Sequence, residues 1–168
     1  MLLFTDILTG DELFSDAYPL KEAGGAFEVD CQMITIGAVQ VDTGANQSAE
    51  DPEEALDDSA ETVNNVVYSF RLVQTQFDKK SYMTYIKGYM KELAAKLAEV
   101  GKSEEEIENF KKEAATLVKK ILGDFKNYEF YTGESMNPDG MVALLNYRED
   151  GVTPYFTFFK DGVKQQKL

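Results

Sequence analysis

Apolar residues recur along this chain at two different periods, and the change of period divides it. Near the N-terminus, Leu2–Phe4 and Ile7-Leu8 form short strand-like runs before Thr9-Gly10-Asp11, a turn signal. After Gly24-Gly25, the residues Phe27, Val29, Cys31 and Met33 alternate with polar neighbours, which predicts a half-buried strand over Phe27–Val39. Ile34 and Ile36 carry the apolar set onto the opposite phase, the mark of a bulge or of a strand covered on both faces. Val66, Tyr68, Phe70 and Leu72 again alternate, predicting a strand over Val63–Gln74. The period then lengthens. Tyr82, Ile86, Tyr89, Leu93, Leu97 and Val100 are spaced as one face of a helix, with Asp78 as its N-cap and Gly101 ending it. Ser103 and Glu106 form a capping box for a second helix, whose apolar face is Ile107, Phe110, Ala114, Leu117, Ile121 and Phe125. Strand patterns return at Tyr128–Tyr131, Met141–Tyr147 and Thr153–Lys160, with Asp150-Gly151 and Asp161-Gly162 as bounding turns.

Strands, an antiparallel helical hairpin at about 77–126, and strands again predict an α+β fold, with the helices on one side of a mostly antiparallel sheet. The length of 168 residues fits one domain spanning 1–168. One segment has neither period. From Glu50 to Glu61, seven of twelve side chains are acidic, and no basic residue stands between Lys21 and Arg71. Residues 40–62 therefore read as a mobile acidic loop that buries too little apolar surface to offset its ordering entropy.

Composition narrows the function. The chain has no His and a single Cys, which excludes imidazole catalysis, an internal disulfide and thiolate-rich metal sites. Seventeen basic and thirty acidic residues leave a net charge of −13, which disfavours nucleic acid and anionic membranes as partners. No apolar run approaches the ~20 residues of a membrane span, and the first residues lack the basic region of a signal peptide, so an intracellular protein is expected. The charge is also partitioned. Residues 78–126 carry eleven Lys against nine acidic side chains, whereas the remainder holds −15. Lys80, Lys87 and Lys91 on the first helix, and Lys112, Lys119 and Lys126 on the second, lie opposite the apolar faces. Two readings stand: a solvated face, or a docking strip for an acidic partner.

Candidate chemistry is sparse. Cys31, in phase with Val29, reads as a core thiol with no base to activate it. No P-loop or dinucleotide fingerprint is present, and an enzyme is not expected. Two oxygen-rich clusters are weak calcium candidates: Glu134, Asn137 and Asp139, or alternatively Glu50, Asp51, Glu53, Glu54, Asp57 and Asp58 in the acidic loop. Neither has the spacing of an EF-hand loop, and solvated turns are the plainer reading.

The segments MLLFTDILTGDELFSDAY, GANQSAED, TVNNVVYSFRL, FDKKSYMTYIKGYMK and FKNYEFYTGESMNPDGMVALLNYREDGVTPYFTFFKDG together resemble the translationally controlled tumour protein family, in order and spacing, over essentially the whole chain. The resemblance implies a β-tent with a projecting helical hairpin, similar to a small chaperone of Rab GTPases and to methionine sulfoxide reductase B. It implies binding without catalysis: calcium, tubulin and microtubules, elongation factor 1A or its exchange factor, and a Rheb-type small GTPase, in the cytoplasm and in support of protein synthesis and growth. By matching motifs, the GTPase or elongation-factor residues fall on Glu12, Leu72 and Glu134, and the tubulin- and calcium-associated region on the hairpin at about 77–122. No cofactor is required, and a monomer is expected. Animal members end in a Cys tied to dimers and extracellular activity, whereas this chain ends Lys167-Leu168. The segment matching their anti-apoptotic helix is Pro19–Val29, and its Gly24-Gly25 opposes a helix, so that function is not carried over. The alternative is a weak calcium-buffering acidic protein without a GTPase partner.

Overall fold

The computed structural model describes residues 1–36 and 61–167. Eleven strands among them form three antiparallel sheets. The largest has six strands in the order β3 (Leu20–Ala23), β4 (Ala26–Asp30), β10 (Pro154–Phe159), β9 (Ala143–Tyr147), β8 (Glu129–Thr132) and β7 (Val73–Thr75). A three-stranded sheet places β1 (Leu2–Asp6) between β11 (Val163–Lys167) and β2 (Glu12–Ser15), and β5 (Met33–Ile36) pairs with β6 (Glu61–Asn64). All six residues of β10 are buried, as expected of a strand covered on both faces. Phe14 stacks on Phe4 and on Phe158 with centroids 4.4 Å apart in each case, which joins the three-stranded sheet to the six-stranded one through a shared aromatic core.

Among the described residues the sheets are joined by three α-helices, α1 (Asn65–Phe70), α2 (Lys79–Glu99) and α3 (Glu104–Gly123), and by short 3-10 turns at Phe125–Asn127 and Lys160–Gly162. The hairpin of α2 and α3 has the predicted caps. Asp78 Oδ1 accepts the Ser81 amide at 2.7 Å, and Ser103 Oγ accepts that of Glu106 at 3.1 Å. Gly101 follows the end of α2 at φ +94°, a conformation that favours glycine. Tyr82, Ile86, Tyr89, Leu93 and Leu97 are buried against the sheet and against Phe110, Ala114, Leu117 and Ile121. Val100 is exposed beyond the last turn and does not belong to that face.

Two strand expectations are corrected. Val63–Gln74 is not one strand: β6 ends at Asn64, α1 occupies Asn65–Phe70, and β7 begins at Val73. The Asn64 side chain accepts hydrogen bonds from the Val66 and Val67 amides at 2.9 and 3.2 Å, so a cap overrides the β-propensity of the two valines. Arg71 closes α1 in the left-handed region, at φ +55°. Phe27–Val39 is likewise divided. The chain leaves the large sheet after Asp30 and enters the two-stranded sheet at Met33, which explains why the apolar phase reverses at Ile34. Cys31 is buried as expected, but Met33 is 52% exposed. Ile7-Leu8 lies in the turn after β1, and Glu61-Thr62, at the end of the expected acidic loop, lies in β6. The rest of that loop, with residues 37–39, is outside the described residues. Pro19–Val29 forms the β3–β4 hairpin around Gly24-Gly25, not a helix.

Candidate functional site

Three segments distant in sequence meet at one cleft. The turn after β1 supplies Gly10 and Asp11, the first residue of β2 is Glu12, the end of α1 supplies Ser69, Phe70 and Arg71, and the loop after β8 supplies Glu134. The cleft has a volume of about 450 Å³ and a predominantly polar lining. Glu12 is exposed at the start of β2. Arg71 Nη1 donates to Glu134 Oε2 at 3.1 Å. The two side chains are 77% and 57% exposed, so the pair is worth little and can be exchanged for contacts with another molecule.

The backbone around the cleft is more firmly held than its charged tips. Asp11 Oδ2 accepts from the Ser135 hydroxyl at 2.6 Å and from the Ser135 amide at 3.3 Å. Gly133 packs so closely on Asp11 that an added Cβ would overlap its carboxylate. Asp6, buried at the end of β1, accepts from the Leu8 amide at 2.9 Å and from the Met141 amide at 2.8 Å. Tyr85 of α2 donates its hydroxyl to the Gly140 carbonyl at 2.7 Å, and the same oxygen accepts from the Val142 amide at 3.0 Å. Two aspartates and a tyrosine therefore fasten both ends of loop 133–142, and Glu134 projects from it at a fixed place.

Of the predicted residues, the structure brings Glu12 and Glu134 to this cleft and leaves Leu72 out of it. Leu72 is 6% exposed and packs in the core between α1 and β7, so its side chain does not reach the lining. Arg71, its neighbour, does. Periodicity could not single out Arg71, because its direction depends on the left-handed cap of a helix that the pattern conceals. Asp11 was visible only as a turn residue, and its bond to Ser135 joins segments far apart in the chain.

The calcium candidates do not converge. Glu134 is engaged by Arg71, the Asn137 side-chain oxygen accepts the Asp139 amide at 2.9 Å, and Asp139 lines a different groove. Among the described residues no three His, Cys, Asp or Glu side chains are placed to hold a metal ion. Glu50, Asp51, Glu53, Glu54, Asp57 and Asp58 lie outside the described residues.

All six predicted lysines are exposed, and none forms an ion pair among the described residues, but only five lie on the hairpin: α3 ends at Gly123, and Lys126 sits in the short 3-10 turn Phe125–Asn127 that follows. Lys87 and Lys91 stand with Lys111 beside a shallow apolar groove between α2 and α3, whereas Lys80, Lys112, Lys119 and Lys126 are not part of its lining. Cys31 is held away from chemistry: burial pushes its thiol pKa up to about 11, so it stays protonated near neutrality.

Antiparallel sheets sharing one core, a capped helical pair and a charged cleft at the sheet junction define an α+β protein of the β-tent class. The family model described as translationally controlled tumour protein matches residues 1–164. The chain is 62% identical to translationally-controlled tumor protein homologs of Neurospora crassa and Candida albicans, with 100% of each chain covered. It superposes on the solved p23fyp protein of Schizosaccharomyces pombe with a TM-score of 0.83 and 58% identity, over 100% of both chains. The solved translationally-controlled tumor protein of Caenorhabditis elegans gives a TM-score of 0.72 at 27% identity, over 100% of this chain and 99% of the other. This chain belongs to the translationally controlled tumour protein family.

Proposed function

We propose that this protein is a non-enzymatic, cytoplasmic binding protein that engages a GTPase of the translation and growth machinery through the cleft of Glu12, Arg71 and Glu134. Candidate partners are elongation factor 1A, with or without its exchange factor, and a Rheb-type small GTPase. The observation that carries the reading is the convergence of Glu12 and Glu134 on one open cleft, walled by backbone that Asp11 and Asp6 hold in place. Exposed carboxylates on a fixed frame provide orientation and specificity at little cost in desolvation. The hairpin lysines form a second, separate surface for an acidic partner, with tubulin and microtubules as the candidate.

The two surfaces respond differently to substitution. In a pulldown from cytosol, Glu12→Lys is expected to lose the GTPase or elongation factor while retaining tubulin. Lys87→Glu with Lys91→Glu is expected to do the reverse. Tubulin capture should fall as salt rises, because exposed charges are screened within about 8 Å at physiological ionic strength. Absence of elongation factor, GTPase and tubulin at every salt concentration would sink the proposal.

A further inference from the structure

A second concavity lies on the other side of the loop that carries Glu134. It runs between α2 and β7, has a volume of about 470 Å³, and is floored by Phe77, Tyr85, Tyr89 and Val142. Met136, Pro138 and Asp139 wall it on the loop side. That volume is within the range of pockets that enclose a ligand or a few side chains.

Three features set this groove apart from a packing defect. β7 is the end strand of the six-stranded sheet, and all three of its residues line the groove. Among the described residues, the backbone of Val73–Thr75 pairs with β8 and has no other main-chain partner. Among the described residues, one side of the strand is therefore open for pairing. Next, Gly88 interrupts the middle of α2 where the helix borders the groove. A Cβ there would meet nothing within 4 Å, so neither close packing nor a turn accounts for the glycine. Its effect is to lower the helical wall. Finally, Met136 stands at the mouth with φ +58° and is 59% exposed, which places a flexible apolar side chain over the opening. The charge at the groove has one sign: Glu92 and Asp139 contribute carboxylates to the lining, and no Lys or Arg does.

An edge strand facing a helix across an apolar floor is the arrangement that receives an extended peptide by strand addition. We propose that the α2–β7 groove binds a basic, extended peptide segment of a partner protein as an additional strand beside β7. An apolar side chain of the peptide would sit against Phe77, Tyr85 and Val142, and its Lys or Arg residues would face Glu92 and Asp139. This site does not depend on the GTPase cleft, and either can fail without the other.

The test uses the whole protein and a fluorescein-labelled peptide that alternates Thr with Leu and Val and carries Lys-Arg at both ends. Wild type should bind it saturably, with the amide signals of Val73–Thr75 moving in NMR spectra. Gly88→Leu should fill the groove and weaken binding by about tenfold or more, while the protein melts at a higher temperature. Glu92→Lys should also weaken it. The same peptide with alternate backbone nitrogens methylated cannot add as a strand and should not bind. No saturable binding up to ~1 mM would overturn the proposal. Equal binding by the methylated peptide, by an acid-flanked version, or by Gly88→Leu would overturn it as well.

Discussion

At the scale of single residues, the molecule separates groups that titrate from groups that hold. Cys31 is buried beside Val29, and its raised pKa has a defined consequence for stability. The folded state favours the protonated thiol, so this stabilising contribution is complete below the ordinary thiol value of 9.0 and is lost as pH rises toward about 11. Denaturant titrations across that window should show the wild type losing stability more steeply than Cys31→Ala, and identical slopes would contradict the burial argument. The same thiol should react slowly with a disulfide reagent at neutral pH and quickly once the protein is unfolded. Arg71 behaves in the opposite way. Its exposed pair with Glu134 contributes little to folding, so Arg71→Ala should melt within about 0.5 kcal/mol of wild type while altering GTPase binding. A large fall in stability would show that the pair is structural.

At the scale of elements, the helical hairpin was legible and α1 was not, for the same physical reason. The faces of α2 and α3 are amphipathic over many turns, and their caps are sequence-local, so period and cap agree. α1 has only six residues, too few for a period to appear, and its two valines and Tyr68 read as strand. Asn64 decides it by capping two amides, and Asn64→Ala should cost about 1 kcal/mol, checked by urea titration. Strand boundaries in β8, β9 and β10 were read to within about two residues. The division at Cys31–Gln32 was visible only as a change of phase, because which sheet a strand joins depends on partners elsewhere in the chain. Gly88 has a measurable consequence at this scale. With open space at its Cβ, Gly88→Ala should stabilise α2 by roughly 0.5–1 kcal/mol and raise the melting temperature by about 1–4 °C. An unchanged or lower melting temperature would mean that the glycine has a conformational role in the helix.

At the scale of the whole molecule, charge and architecture are organised together. The hairpin carries a local excess of lysine on a protein of net charge −13, and the candidate GTPase cleft sits on the acidic body. Glu12 and Glu134 were candidates from motifs that resemble the family's, but their shared cleft was not legible. It arises from the junction of a β-turn, a helix end and a loop fastened by Asp6, Asp11 and Tyr85. Leu72, flanking the same cleft in sequence, is directed into the core by the turn that presents Arg71. The most direct test of this account is the rate of nucleotide release from loaded elongation factor 1A and from a Rheb-type GTPase, measured with wild type and Glu12→Ala. A rate changed by the wild type and left at its basal value by a folded Glu12→Ala variant is the predicted result. A rate that neither protein changes, or that both change equally, would contradict the assignment of the cleft as the working surface.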